Sequence, residues 1–431
     1  MCADSKNMMT PKVRTLVALA LAFIGLVNLS PAAAEGKGRA ILARKILIAA
    51  RPGPAVLDNG VILISGSRIE AVGPQSKVKI PEGYEILDAG DNWVSPGFMD
   101  LHNHSASDLR SLNDMVYLTN PGLRAWAGAI PDTAGMRVAL AAGVTSVLTI
   151  PGSGTNIGGQ GVLQRTGFRG FEANLIRNPG SLKLAQAGNP ERSQPWTPRR
   201  TFMNWNTRNT FRRGVAYAKR WEAFEAGEGE KPERDIQFDI YRSLVKGEAQ
   251  VSTHTQIYQV VLMTVNMVAI EFGLPVFIDH GTFDGFRAAP QAQAAGVNAI
   301  LGPRAIQDHR AGFVDTDGKI MGVAASYQER GHTTIGFNTD SPVIPQEELP
   351  LQAAMGVRYG FDNSKMDAIR GLTIVPALTV GLQADQGSVE VGKYADLIVT
   401  KGDPIDPRSS VEWVIQHGQT VYSTQSERRR W

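Results

Sequence analysis

The 431-residue chain has one cysteine, at position 2. That excludes a disulfide framework and any cluster of thiolate metal ligands. An excess of one charge is also missing. Lys and Arg number 44 against 41 Asp and Glu, a net charge of +3, so nothing suggests a nucleic-acid footprint. Long apolar runs are confined to the start. Lys12 and Arg14 precede the run from Leu16 to Leu29, and Pro31-Ala32-Ala33-Ala34-Glu35 follows it. Gly25 and Asn28 interrupt that run, and it falls short of the roughly 20 residues a spanning helix needs. A basic start, a short apolar stretch and a small-residue site predict a signal peptide over residues 1–34, cleaved after Ala34. The rival reading is an uncleaved anchor. Cleavage predicts an exported protein, periplasmic or secreted, with no cysteine, a net charge of +1 and no membrane contact. A chain this long can bury a core large enough to do without disulfides. The terminal Glu427-Arg428-Arg429-Arg430 reads as a solvated tail.

Hydrophobic residues at 43% and charged residues at 20% give the balance of a globular protein. Apolar runs of strand character fill residues 41–72 and return at 388–391, 395–400 and 411–421, which predicts a small β-sandwich built from both ends of the mature chain, residues 35–92 plus 384–431. The middle, residues 93–383, alternates. Strands are predicted at Val94–Leu101, Val144–Ile150, Leu182–Leu184, Gln250–His254, Val276–His280, Ala299–Leu301 and Thr333–Thr339. Helical spacing fills Thr133–Ala142, Thr210–Ala226, Ile257–Phe272 and Glu347–Tyr359. Repeated strand–helix units predict an α/β fold, a (β/α)8 TIM-like barrel. Arg169 to Ile236, rich in Arg, Pro and Gly, yields no clear strands beyond Leu182–Leu184.

Histidine is scarce as well, with seven in the chain, and four of them close predicted strands. His102 and His104 stand two apart, so on a strand they point the same way. His254 and His280 close two later strands, and Asp340 closes the last. In a parallel barrel such ends meet on one rim. One histidine at a strand end is more often a satisfied polar residue than a ligand. Four with a carboxylate, and no thiols, suit zinc or another borderline divalent ion. His309, His332 and His417 lack this placement and read as structural or surface, with His309 nearest the rim.

Pro96-Gly97-Phe98-Met99-Asp100-Leu101-His102-Asn103-His104 resembles the first metal motif of the amidohydrolase superfamily, and Gly387-Ser388-Val389-Glu390-Val391-Gly392-Lys393-Tyr394-Ala395-Asp396-Leu397-Ile398-Val399 resembles its closing signature. Pro151-Gly152-Ser153, Gly158-Gly159-Gln160-Gly161 and Thr339-Asp340-Ser341-Pro342-Val343 are similar to the imidazolonepropionase-like branch. The resemblance covers nearly all of the mature chain. It implies that His102, His104, His254 and His280 are metal ligands, and that Asp340 is both ligand and catalytic proton shuttle. It implies one or two divalent ions, zinc being the expected metal, and a small-molecule substrate whose amide or cyclic amide C–N bond is cleaved by metal-activated hydroxide. Two-metal members carry a bridging lysine carbamate or glutamate on the third or fourth strand. Lys183 is the preferred candidate here, against an ordinary surface lysine; Glu172, Lys246 and Glu248 are weaker ones.

Other features decide less. The glycines at 152–154 and 158–161 read as a tight pocket loop rather than a phosphate cradle, since no Walker-type Lys-Ser/Thr follows. Arg304 could bind a substrate carboxylate or sit on the surface, and Tyr258 could reach substrate or belong to the core. Two rivals to the amidohydrolase reading stay open: a lactonase, esterase or phosphoesterase on the same site, and a silent binding protein of the same fold. Homo-oligomerisation is compatible with all three.

Overall fold

The computed structural model describes residues 38–193, 195–303, 305–306 and 320–426. The leader with Cys2, Arg304, His309 and the tail from Glu427 lie outside the described residues.

Two eight-stranded sheets organise the chain. In the first, β1 (Arg39–Leu47) pairs antiparallel with β2 (Val56–Ser65), which pairs with β3 (Arg68–Pro74). The short β4 (Glu85–Asp88) and β5 (Trp93–Pro96) lie parallel to β1. From the far end of the chain, β14 (Leu397–Thr400) joins β5 antiparallel, followed by β15 (Val411–Gln416) and β16 (Gln419–Ser423). Ile41, Ile46, Ile62, Ile64, Val94, Val399 and Ile415 are buried together along this sheet. Residues 388–391, expected as a strand, form turn and coil instead, and a turn at His417-Gly418 splits 411–421 into β15 and β16.

The second sheet contains β6 (Phe98–Asn103), β7 (Val144–Thr149), β8 (Ile157–Arg165), β9 (Leu175–Ala185), β10 (Gln250–His254), β11 (Val276–His280), β12 (Ala299–Leu301) and β13 (Ile335–Phe337), paired in that order. It curls until Asn103, at the end of β6, bridges Ser341 just beyond β13. The result is a nearly closed TIM-like barrel. Every residue of β6, β7, β10, β12 and β13 is buried, as strands covered on both faces require.

Two expectations need correction here. The single strand expected over Val94–Leu101 is two, β5 and β6, one in each sheet, divided at Gly97. There the Gly97 amide bonds Asp396 O at 2.9 Å, and a Cβ would come within 2.2 Å of the Thr145 side chain. The barrel is also not eight strand–helix repeats. β8 runs antiparallel to both neighbours, so β7, β8 and β9 form a meander, and Gly158–Gly161 lies within a strand rather than a loop. The other seven strands share one direction.

Most helices follow the expected spacing. Thr133 caps Ala134–Ala141 by accepting the Met136 amide at 3.1 Å. In the stretch 169–236 the strand expected at Leu182–Leu184 extends to β9, Leu175–Ala185, and the helix expected over Thr210–Ala226 starts earlier, as the 26-residue Arg200–Glu225. Met203, Thr207, Thr210, Phe211, Gly214, Tyr217, Ala218 and Trp221 recur at helical spacing and form its buried face.

Candidate metal centre and active site

Strand ends deliver the site. His102 and His104 stand at and just after the end of β6, Lys183 is on β9, His254 and His280 close β10 and β11, and Asp340 follows β13. Their side chains meet. Asp340 Oδ1 lies 3.1 Å from His102 Nε2 and 3.3 Å from His104 Nε2, and Asp340 Oδ2 lies 3.9 Å from His280 Nε2. Lys183 Nζ is 3.3 Å from His102 Nε2, and His280 Nε2 is 2.9 Å from His254 Nδ1. All four histidines and Lys183 are buried. Two of these residues, His280 (φ 76) and Asp340 (φ 51), adopt left-handed conformations that side chains disfavour.

The imidazoles are oriented from behind. His102 Nδ1 faces Asp279 Oδ2 at 2.7 Å, His104 Nδ1 faces Ile150 O at 2.8 Å, and His280 Nδ1 faces Gly302 O at 3.0 Å. With Nδ1 so engaged, Nε2 of each ring is the atom left for the interior. The supporting layer is polar and buried. Asn338 Nδ2 donates to Asp279 Oδ1 at 3.2 Å, while Asp100 accepts from Thr339 Oγ1 at 2.5 Å and from the His102 amide at 3.1 Å.

Burial sets the protonation states. It pushes His102 down to about 4, helped by the Lys183 charge, and His280 to about 4, helped by His102; His104 and His254 move the same way. Burial also pushes Lys183 down to about 8, against the pull of Asp279 and Asp340, and Asp279 up to about 7. Burial alone would raise Asp340, but the surrounding imidazoles hold it below the usual carboxylate range. The resulting set is neutral imidazoles around an ionised carboxylate, the state a divalent cation requires of its ligands. His102, His104 and Asp340 place one donor atom each within 4.8 Å of one another, as do His102, Asp279 and His280. The donor set therefore fits a borderline divalent metal.

A pocket of about 330 Å³ opens on His104, His254 and Asp340 and is walled by Asn113, Met115 and Asn189. A larger cavity, about 670 Å³, lies away from these groups. Tyr258 is half-buried, its ring 4.5 Å from the Arg287 guanidinium, and among the described residues no hydrogen bond or ring contact joins it to the histidines. His332 bonds Val297 O at 2.9 Å and His417 stacks on Tyr394. Asp279, Asn338 and Thr339 were not anticipated. Regular alternation would send Asp279 to the face opposite His280. The left-handed backbone at His280 ends that alternation, so both reach the site.

The chain matches the amidohydrolase family over residues 287–425. An amidohydrolase from Thermotoga maritima superposes with a TM-score of 0.75 at 27% identity, over 89% of this chain and all of that one. Imidazolonepropionase from Sphingopyxis alaskensis is 22% identical over 81% of this chain and 89% of its own length. The chain is thus similar to imidazolonepropionase-like members of the amidohydrolase superfamily. Amidohydrolase tasK from Hapsidospora irregularis is 25% identical over 82% of this chain, which spans only 38% of that longer protein. In this barrel the antiparallel β8 lies between β7, which neighbours the strand of the histidine pair, and β9, which carries Lys183.

Proposed function

We propose that this protein is an exported metal-dependent amidohydrolase that hydrolyses an amide or cyclic amide C–N bond in a small molecule. The observation that carries the reading is the convergence of His102, His104 and His280 Nε2 on the Asp340 carboxylate at the open end of the barrel. His102, His104, His254, His280 and Asp340 would hold the metal, with zinc the expected ion. When bound, the metal acidifies water and polarises the scissile carbonyl. Lys183 supports a second ion. Its burial favours the neutral amine that CO₂ addition needs, and the carbamate so formed would supply a bridging carboxylate.

The chain's own groups do the rest. Asp340, ionised and at the pocket floor, takes the proton of the attacking water and returns it to the departing nitrogen. The pocket walls at Asn113, Met115 and Asn189 carry no formal charge, which suits an uncharged amide better than an ionised head group. In the same reading the sheet formed from both ends would serve as the smaller domain, and residues 1–34 would act as the export leader.

The test is a panel of N-acyl amines, N-acyl amino acids, cyclic amides, esters, lactones and phosphoesters, run on metal-loaded protein. Turnover of an amide is expected, and Asp340→Asn should lower it by about 10²- to 10⁴-fold while metal content stays near wild type. Turnover confined to esters, lactones or phosphoesters, or full activity in Asp340→Asn, would overturn the assignment.

A further inference from the structure

The helix Arg200–Glu225 buries one face, and the opposite face has an unusual composition. At helical spacing it carries Phe202, Trp205, Arg212, Arg213, Ala216, Lys219 and Arg220, all exposed. Phe202 and Trp205 are 44% and 58% exposed, with ring centroids 5.7 Å apart, and Trp196 just before the helix is 60% exposed. The remaining outward positions add Thr201, Asn209 and, at the edge, Glu222.

The cations of this face differ from those around it. Arg208 pairs with Glu271 at 2.9 Å, Arg234 with Asp239 at 2.8 Å, and Lys246 with Glu225 at 2.8 Å. Arg212, Arg213, Lys219 and Arg220 make no ion pair among the described residues; Arg213 only lies over the Phe238 ring, at 5.0 Å. The 670 Å³ cavity opens beside the same face. Arg213 and Arg220 line it together with Arg234, the acids Glu233 and Asp235, and Ile236, which is 62% exposed. Four cations without an ion pair, more than the acids Glu233 and Asp235 beside two of them can balance, stand near large exposed apolar side chains and call for a partner that is anionic at its surface and apolar just beneath.

We propose that this helix face docks the protein on an anionic lipid bilayer. Phe202 and Trp205 enter the interfacial region, where aromatic rings are favoured, and Arg212, Arg213, Lys219 and Arg220 meet lipid phosphates. The proposal goes beyond the sequence expectation of no membrane contact: the helix would lie on the membrane without crossing it, and no described helix is long and apolar enough to span one. Two rival partners fit less well. A nucleic acid would draw on a domain with broad positive excess, whereas the chain is nearly balanced at 44 cations to 41 anions. A second copy of the chain would bring the same four cations against a face where the nearby acids are Glu222 at its edge and Glu233 and Asp235 in the adjoining cavity, fewer than the cations they would meet.

Co-sedimentation of the full chain with vesicles tests this. Binding is expected to mixed phosphatidylglycerol–phosphatidylcholine vesicles, to be weak on phosphatidylcholine alone, and to fall as salt rises. Arg212→Glu with Lys219→Glu should weaken binding about tenfold or more, and Trp205→Ser a few-fold, with circular dichroism and melting unchanged. If charge reversal impairs folding, Arg212→Gln with Lys219→Gln serves in its place. Equal binding to neutral vesicles, or wild-type affinity in the neutralised variant, would overturn the proposal by assigning the contact to another segment such as residues 1–37. So would tighter binding to single-stranded RNA than to the anionic vesicles, or a lower molecular mass by analytical ultracentrifugation in the charge variants, which would mark an interface between copies.

Discussion

Asp279 holds His102 Nδ1 at 2.7 Å and is itself held by Asn338 at 3.2 Å, so a chain of side chains from β11 and the end of β13 fixes a ring on β6. Asp279→Asn keeps the shape and removes the charge. Metal affinity should fall about 10- to 100-fold, read by competition with a chelator; unchanged affinity would show that Asp279 does not position His102. Lys183 makes a second case. Metal analysis of purified protein should find two ions per chain in wild type and one or fewer in Lys183→Ala. One ion in both proteins would sink the bridging role. At this scale the sequence was a good guide to residues that stand at strand ends, because a strand end places its side chain without help from distant parts of the chain. It was a poor guide to Asp279, whose role depends on a left-handed backbone at His280 that no residue type announces.

Among the elements, the long helix is seated by a close contact at Gly214, where a Cβ would come within 2.3 Å of the Tyr241 ring. Gly214→Ala should destabilise by about 1–3 kcal/mol, seen as a lower melting temperature, because the ring is fully buried and has no free space to enter. A neutral result would mean that this helix and the one carrying Tyr241, Asp239–Val245, can slide apart. The strands that were legible, such as Val144–Thr149 and Val276–His280, are short apolar runs covered on both sides. β8 was hidden because Gly158, Gly159 and Gly161 look like loop residues, yet strands on either side pack too tightly there for more. A Cβ on Gly161 would meet Ile150 and Ser181 below 3.0 Å. The glycines thus serve close strand approach, a use that composition cannot distinguish from a turn.

Taken as a whole, the molecule carries titrating groups away from the candidate metal centre as well. Burial pushes His417 down to about 4, with Arg165 and Arg68 adding to the effect. A depressed histidine contributes stability that is complete above its ordinary 6.5 and is lost as pH falls toward 4. Asp396, whose carboxylate accepts the His417 amide, is pushed up by burial to about 6 and works in the opposite sense, losing its contribution as pH rises through 6. Melting temperatures of His417→Asn between pH 6.5 and 4 should therefore fall less steeply than those of wild type, Asn being tolerant of the φ of 50 at this position. Parallel curves would show that His417 does not titrate in this range. The pairing of strands from both ends has a mechanical consequence. β1 lies between β5 and β2, deep in its sheet, whereas β16 is an edge strand held by β15 alone. Under tension applied at the two ends, β16 would unzip one bond at a time at low force, while β1 would resist in shear along its whole length. The molecule is in that sense a clasp that opens from one side.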